Sequence, residues 1–294
     1  MKISKGRMIF NVVNYIILIL FCLTVILPFM HVISISLSNA KYITSMSVGI
    51  WPKGFELKAY KEILENKVFI RSFLNTILIT AISTILSLII DIMAAYAFSK
   101  YFYGKKLINY VFIITMYFSG GLIPTYLLVS KYLGWYNSYL ALIIPGLVSV
   151  FYIIVIRTQI QAIPKSLIEA AYIDGATESQ TLFNVVIPSI TPTIAAIAMF
   201  TILGRWNSWF NVMIYTDKRE LWTLQYYLRS VVLAKSITAN RPDIQKGLIL
   251  EAENVIAENY QMAAIILVAL PVVCVYPFVQ KYFVKGILTG SVKE

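Results

Sequence analysis

The stretch AIPKSLIEAAYIDGATESQ, residues 162–180, holds the clearest local signals in the chain. Ser166 followed three residues later by Glu169 has the form of a capping box, and Pro164 stands just before it, so a helix is predicted to start here. Leu167, Ile168, Ala170, Ala171 and Ile173 continue it. Gly175 falls where a left-handed residue closes a helix. Thr177 and Gln180 repeat the capping pattern and open a second helix that runs on through Val185, Val186, Ile187 and Pro188. The expectation over 162–182 is an elbow: helix, glycine turn, helix. Its small and apolar residues form a knob that suits a groove on another protein. They equally suit a loop lying on a membrane surface.

On either side of the elbow the chain is apolar over lengths that cross a bilayer. Of 294 residues, 59% are apolar and only 13% charged, against about 25% charged in an ordinary soluble domain. That is too little charge to cover a water-facing surface, so lipid is the solvent for much of the chain. A hydrocarbon core takes about 20 apolar residues. Runs of that length, nearly free of Asp, Glu, Lys and Arg, predict six spans at about 10–37, 70–99, 107–130, 136–157, 183–204 and 260–280. Each is expected to be one helix, because lipid offers the backbone no partner. The fold class is then all-α and polytopic, residues 1–294 form a single transmembrane domain, and both termini lie on one side.

Residues 8–40 contain no charged side chain. A signal-peptide core runs about 7–15 residues, so this stretch is expected to be a retained first span. Ser38-Asn39-Ala40 would be the cleavage site on the signal-peptide alternative. The 25 basic residues exceed the 14 acidic ones, giving a net +11. In a membrane protein such an excess anchors loops against anionic headgroups. No basic run alternates with aromatics outside the spans, which argues against nucleic acid as a partner. Lys2, Lys5, Arg7, Lys100, Lys105 and Lys106 lie in the short segments where the positive-inside rule applies best, and they favour cytoplasmic ends. Residues 205–258 mix Trp206, Trp209, Phe210, Trp222, Tyr226 and Tyr227 with charges, and are expected to lie along the outer interface as short amphipathic pieces. Cys22 and Cys274 sit inside apolar runs and read as small apolar side chains.

Glu169-Ala170-Ala171, three residues, Gly175, nine residues, then Val185-Val186-Ile187-Pro188 resembles the EAA signature of ABC importer permeases. That signature is Glu-Ala-Ala, a Gly at fixed spacing, and Ile-x-Leu-Pro; here Val185 and Ile187 replace the Ile and Leu. The resemblance implies the type I importer permease fold, with six transmembrane helices and the elbow as a cytoplasmic coupling helix. Glu169, Ala170, Ala171, Asp174, Gly175 and Glu178 would then contact a separate ATPase. Arg205-Trp-Asn-Ser-Trp-Phe, Leu221-Trp-Thr-Leu-Gln225 and the tail Phe283 to Glu294 resemble the binding-protein-dependent carbohydrate branch (MalG-like subunits). The resemblance further implies a second permease subunit, two ATP-binding subunits and an extracellular solute-binding protein as partners. It implies the bacterial cell membrane as location and a sugar or oligosaccharide as cargo. No cofactor is expected in this chain, ATP and Mg residing on the ATPases, and no catalytic role.

Asp91 is an acid deep in a span, and such residues are functional candidates by default. It is read here chiefly as a hydrogen bond between helices; contact with a substrate hydroxyl, or a protonated state, stays open. Tyr117, Asn207 and Asp91 are the candidate substrate-path residues. Tyr126 shares with Tyr117 the flanks of the Gly120, Gly121 and Pro124 interruption, which marks close packing or a kink. His31 reads as an interfacial anchor. Two other functions were weighed. An ion-driven secondary transporter needs coupling carboxylates at mid-membrane, and Asp91 alone is thin support. A membrane enzyme needs a nucleophile–base pair or a metal site, which the spans do not offer. There is no P-loop and no H-E-x-x-H.

Overall fold

A computed structural model describes the backbone over residues 5–238 and 258–291, and side chains over 6–233, 258–275 and 277. Among these residues every extended element is helical, and strand-like pairing is confined to one isolated bridge, Ser38 with Phe55. The chain divides into two compact units, Met1–Phe69 with Leu228–Leu270, and Ile70–Tyr227 with Pro271–Glu294.

In the first unit, helix α1 (Lys5–Ser36) is apolar on every face, and none of its most apolar window is buried within the chain. It ends where hydroxyls take over. Ser38 donates back to the Ser34 carbonyl at 2.7 Å and accepts from the Lys53 backbone N–H at 3.0 Å. Asn39 caps the short helix α2 (Ala40–Thr44) and its amide donates to Glu56 at 2.8 Å. His31 is tied by Nδ1 to the Gly49 carbonyl at 2.9 Å. Helix α3 (Lys58–Glu65) packs through Ala59 and Ile63.

The second unit is built on α4 (Lys67–Ser99). Its buried face carries Ser72, Asn75, Thr76, Thr80, Ser83, Thr84, Ser87 and Asp91, while Leu74, Leu78, Ile82, Ile85, Ile89 and Met93 are exposed. This is a soluble helix turned inside out. In lipid there is no hydrophobic gain from apolar contact between helices, so small and polar side chains face inward and let backbones approach.

The next elements depart from the expected one helix per span. Residues 107–130 form α5 (Lys105–Tyr117) and α6 (Leu122–Leu127), α6 running on through a π-helical turn, Leu128–Tyr132. Their axes differ by 107° at a break where Gly121 has φ +86°. Residues 136–157 form α7 (Tyr139–Ile143) and α8 (Val150–Gln161), parted at Pro145 and Gly146. The fifth stretch bends by 81° between residues 178–189 and 191–206. Among the described residues three helices are long and apolar enough to cross a membrane singly (Gly6–Ser36, Lys67–Ser99 and Glu258–Val275), and the two bent pairs make up to five, with Val150–Gln161 a shorter apolar helix. The physical reason is glycine and proline at membrane depth, tolerated where the protein itself satisfies the freed backbone.

Elements α9 to α12 follow: α9 (Lys165–Ile173), α10 (Glu178–Thr181), a π-helical turn (Leu182–Val186), α11 (Ile187–Ser189) and α12 (Thr191–Trp206). Residues 207–227 form short pieces, α13 (Phe210–Tyr215) and a single turn Arg219–Leu221, before α14 (Leu224–Thr238). Rather than lying free as an amphipathic surface, this segment is packed: Trp206, Val212, Tyr215, Leu221 and Leu224 are buried. Asn75 of α4 pins it, its amide donating to the carbonyls of Glu220 (2.6 Å) and Trp222 (3.0 Å). The last helix, α15 (Glu258–Ser291), contains Pro271 and Pro277. The expectations for Lys2, for residues 239–257 and for the side chains of the 283–294 tail lie outside the described residues. Cys22 and Cys274 are free thiols.

Candidate functional site

The elbow is present, and its second half is built as the sequence reads. Gly175 has φ +79°. Its N–H donates to the Tyr172 carbonyl at 3.0 Å and the Ala176 N–H donates to the Ala171 carbonyl at 2.9 Å. This pair of bonds is a Schellman closure, and its left-handed position favours glycine. Thr177 then forms a complete capping box with Gln180. The first half differs. Helix α9 begins one residue before Ser166, with Pro164 as its N-cap and no side-chain cap bond. Leu167 N–H closes the first turn on the Pro164 carbonyl at 3.1 Å. Proline lacks only an N–H that a helix start leaves unused, so Ser166 and Glu169 lie inside the helix and form no box.

Inward, the elbow is seated by Ile163, Ile168 and Leu182 on a cluster that includes Tyr96, Phe98, Ile156 and Val186. Outward, it shows Leu167, Glu169, Ala170, Asp174 and Ile173, the last 86% exposed. Ala171 is half-buried.

Glu178 has a different setting from the other predicted contact residues. Its carboxylate is turned to its own chain, accepting from Tyr96 Oη and, at 2.8 Å, from Tyr172 Oη. Lys100 Nζ reaches it at 3.1 Å and donates to Tyr172 Oη at 2.5 Å. The ammonium also lies over both tyrosine rings, 4.8 Å and 5.1 Å from their centroids. The hydrogen bond from Tyr96 holds the Glu178 carboxyl below the usual carboxylate range, burial pulling the other way and Tyr172 and Lys100 adding to the lowering. For Lys100, burial alone would lower the pKa, but bonds with Tyr172, Glu178 and Tyr96 outweigh it and raise the value. An exposed ion pair contributes at most about 1 kcal/mol, so this cluster matters more for where it holds the elbow than for stability. Tyr96 lies in the last turn of α4 and Lys100 directly follows its end, its N–H still bonded to the Ala97 carbonyl at 3.2 Å. Tyr172 and Glu178 meet only because the Gly175 turn folds the chain back.

The substrate-path candidates are not alike. Asp91 is fully buried. Its carboxylate accepts from Ser87 Oγ at 3.2 Å and from the Ser149 N–H at 3.3 Å. Ser149 caps α8, so Asp91 joins α4 to α8. Just before that cap, Arg205 sets Nη1 on the Pro145 carbonyl (3.2 Å) and Nη2 on the Gly146 carbonyl (2.6 Å). The break between α7 and α8 is thus met from both sides, by Asp91 at the α8 cap and by Arg205 at its carbonyls. Arg205 lies just past the stretch predicted as the fifth span, and no local signal in the sequence points to its reach into the break. Asn207 is exposed and accepts from Gln225 at 2.9 Å. Tyr117 is 74% exposed. Tyr126 has one face taken by Tyr215, with centroids 6.0 Å apart and planes 9° from parallel.

Apolar helices of spanning length and a braced helical elbow agree with what the comparisons find. Residues 3–289 match the family described as binding-protein-dependent transport system inner membrane component. LplC of Bacillus subtilis is 35% identical over 291 residues, 99% of this chain and 97% of its own length. The polygalacturonan/rhamnogalacturonan transport system permease protein YtcP of the same species is 34% identical, with coverages of 98% and 99%. Among solved structures, one chain of a bacterial ABC transporter involved in the import of the acidic polysaccharide alginate superposes with a TM-score of 0.85 at 32% identity, covering 96% of this chain and 99% of that one. The chain therefore belongs to the binding-protein-dependent family of inner membrane transport components, and is a multi-pass ABC importer permease.

Proposed function

We propose that this chain is one of the permease subunits of an ATP-driven importer for oligosaccharides, and that the 166–180 elbow couples it to a separate ATPase. The observation that carries this reading is the elbow itself: capped, bent at Gly175, seated inward on a core, and showing Ile173 (86% exposed) and Leu167 (51% exposed) outward among the described residues. A rigid apolar knob is what a groove on a partner needs. The working complex contains a second permease subunit, two ATP-binding subunits holding ATP and Mg, and an extracellular solute-binding protein. This subunit does no chemistry. Six crossings of the bacterial cell membrane, the fourth through the α7–α8 pair, leave both termini and the elbow in the cytoplasm. Two relatives carry acidic polysaccharides in their names, so uronic-acid oligosaccharides are the cargo to assay first. Asp91 is engaged between helices, which leaves the ion-driven reading without a coupling group.

The test is an Ile173→Cys variant in native membranes, treated with a bifunctional thiol crosslinker, its adducts identified by mass spectrometry. The expected adduct is a nucleotide hydrolase, with labelling only from the cytoplasmic side. Labelling from outside, or adducts that never include a hydrolase, would sink the proposal.

A further inference from the structure

We infer that Glu178, Tyr172, Lys100 and Tyr96 form a strut that locks the elbow to α4, so that a push on the elbow moves α4 rather than turning the elbow in place. This rests on the coupling role proposed above.

The argument starts from how the elbow is attached. The chain enters it from α8 through the non-helical residues 162–164 and leaves it through the π-helical turn Leu182–Val186. Both joints depart from regular α-helix, and such departures mark hinges. Two joints leave a pivot about the line through them, and the apolar seat of Ile168 resists it only through non-directional packing. A third attachment off that line removes the pivot. The described residues supply one: Glu178 at the start of α10 and Tyr172 near the end of α9 both reach the end of α4, which is not a chain neighbour of the elbow. The bonds cross the Gly175 turn, so they also fix α9 against α10.

The strut has somewhere to send the motion. Asp91 lies on the same continuous helix as Tyr96, about 12 Å along its axis from the Ser99 end that Lys100 follows. There it holds the Ser149 N–H at the head of α8, next to the break whose carbonyls Arg205 caps. Elbow, α4 and break are therefore linked by named bonds, and at the break backbone can rearrange without melting a helix.

The experiment uses the complete importer, with both permeases, the ATPases and the binding protein, in proteoliposomes. Two quantities are read together: cargo imported per ATP hydrolysed, and the crosslink from Ile173→Cys to the ATPase. For Glu178→Ala the crosslink is expected to persist while import per ATP falls about tenfold, within the range one contact on a coupling route carries. The exchange Lys100→Glu with Glu178→Lys is expected to recover part of the loss, because the pair and both tyrosine hydroxyls can bond in reverse. Should Glu178→Ala fail to assemble, Tyr172→Phe removes only the hydroxyl between Lys100 and Glu178 and takes its place. Unchanged import per ATP in the variant that assembles overturns the strut. Absence of any ATPase crosslink in the Ile173→Cys parent overturns the coupling role instead, so the two failures are distinguishable.

Discussion

Asp91 Oδ1 accepts the backbone N–H of Ser149 at 3.3 Å, so an acid in the middle of α4 holds the residue that caps α8. The charge itself is not what this bond requires. Asp91→Asn keeps an acceptor of the same shape and is expected to leave expression and melting temperature in detergent nearly unchanged. Asp91→Leu leaves the Ser149 N–H without that acceptor, at about 1–3 kcal/mol, and is expected to lower the melting temperature by several degrees. If Asn proves as damaging as Leu, the carboxylate has a task beyond joining helices.

At Gly175 the φ of +79° is the whole constraint, since a Cβ there would meet nothing within 4 Å. Substitution strains the backbone without a clash. Asn tolerates this conformation and β-branched residues do not, at a penalty of about 1–2 kcal/mol or more. Gly175→Val is expected to insert into membranes normally and to lose ATP-coupled uptake, with Gly175→Asn retaining much of it. Equal uptake in the Val variant and the parent would contradict this.

Arg205 covers two carbonyls with one planar fork. Lysine is a point charge and cannot reproduce that geometry. Arg205→Met is expected to lower the melting midpoint measurably, by about 1 kcal/mol for hydrogen bonds that are only partly buried, and Arg205→Lys to recover only part. A midpoint unmoved by Met would show that water already serves the break.

The Glu178 carboxyl has a depressed pKa, chiefly through Tyr96. A depressed value means the contribution is present above the unfolded pKa and is lost as pH falls through the folded one. Lys100 is shifted upward, so the other end stays charged until well above neutrality. A spin label at Ile173→Cys is therefore expected to show constant mobility from about pH 6 to about pH 8 and to loosen only in acid. Mobility that titrates within the neutral range would contradict the assignment.

The parts of the elbow that were legible in sequence are those decided by neighbours along the chain. Gly175 and the Thr177–Gln180 pair each act within a few residues, and both formed as read. Ser166 and Glu169 carry an equally good pattern, but Pro164 started the helix sooner, and the same residues sit comfortably in a helix interior. The break at Gly121 was marked by Gly120, Gly121 and Pro124, which left packing and a kink both open, and the 107° bend is the kink. The break at Pro145–Gly146 was hidden for another reason. Hydropathy counts apolar length and is blind to whether a distant side chain will satisfy a freed carbonyl. Arg205 lies 60 residues from Pro145, and Asp91 lies 58 from Ser149. Nothing local announces either pairing.

Helix α1 touches almost nothing in its own chain over residues 8–27. Its specification comes from its surroundings rather than from particular neighbours. A saturation library there is expected to accept Leu, Ile, Val, Phe and Met interchangeably and to reject only charge, while at Asp91 or Asn75 nearly every exchange fails. Two helices of similar length in one protein thus obey different rules of inheritance, one written in composition and the other letter by letter.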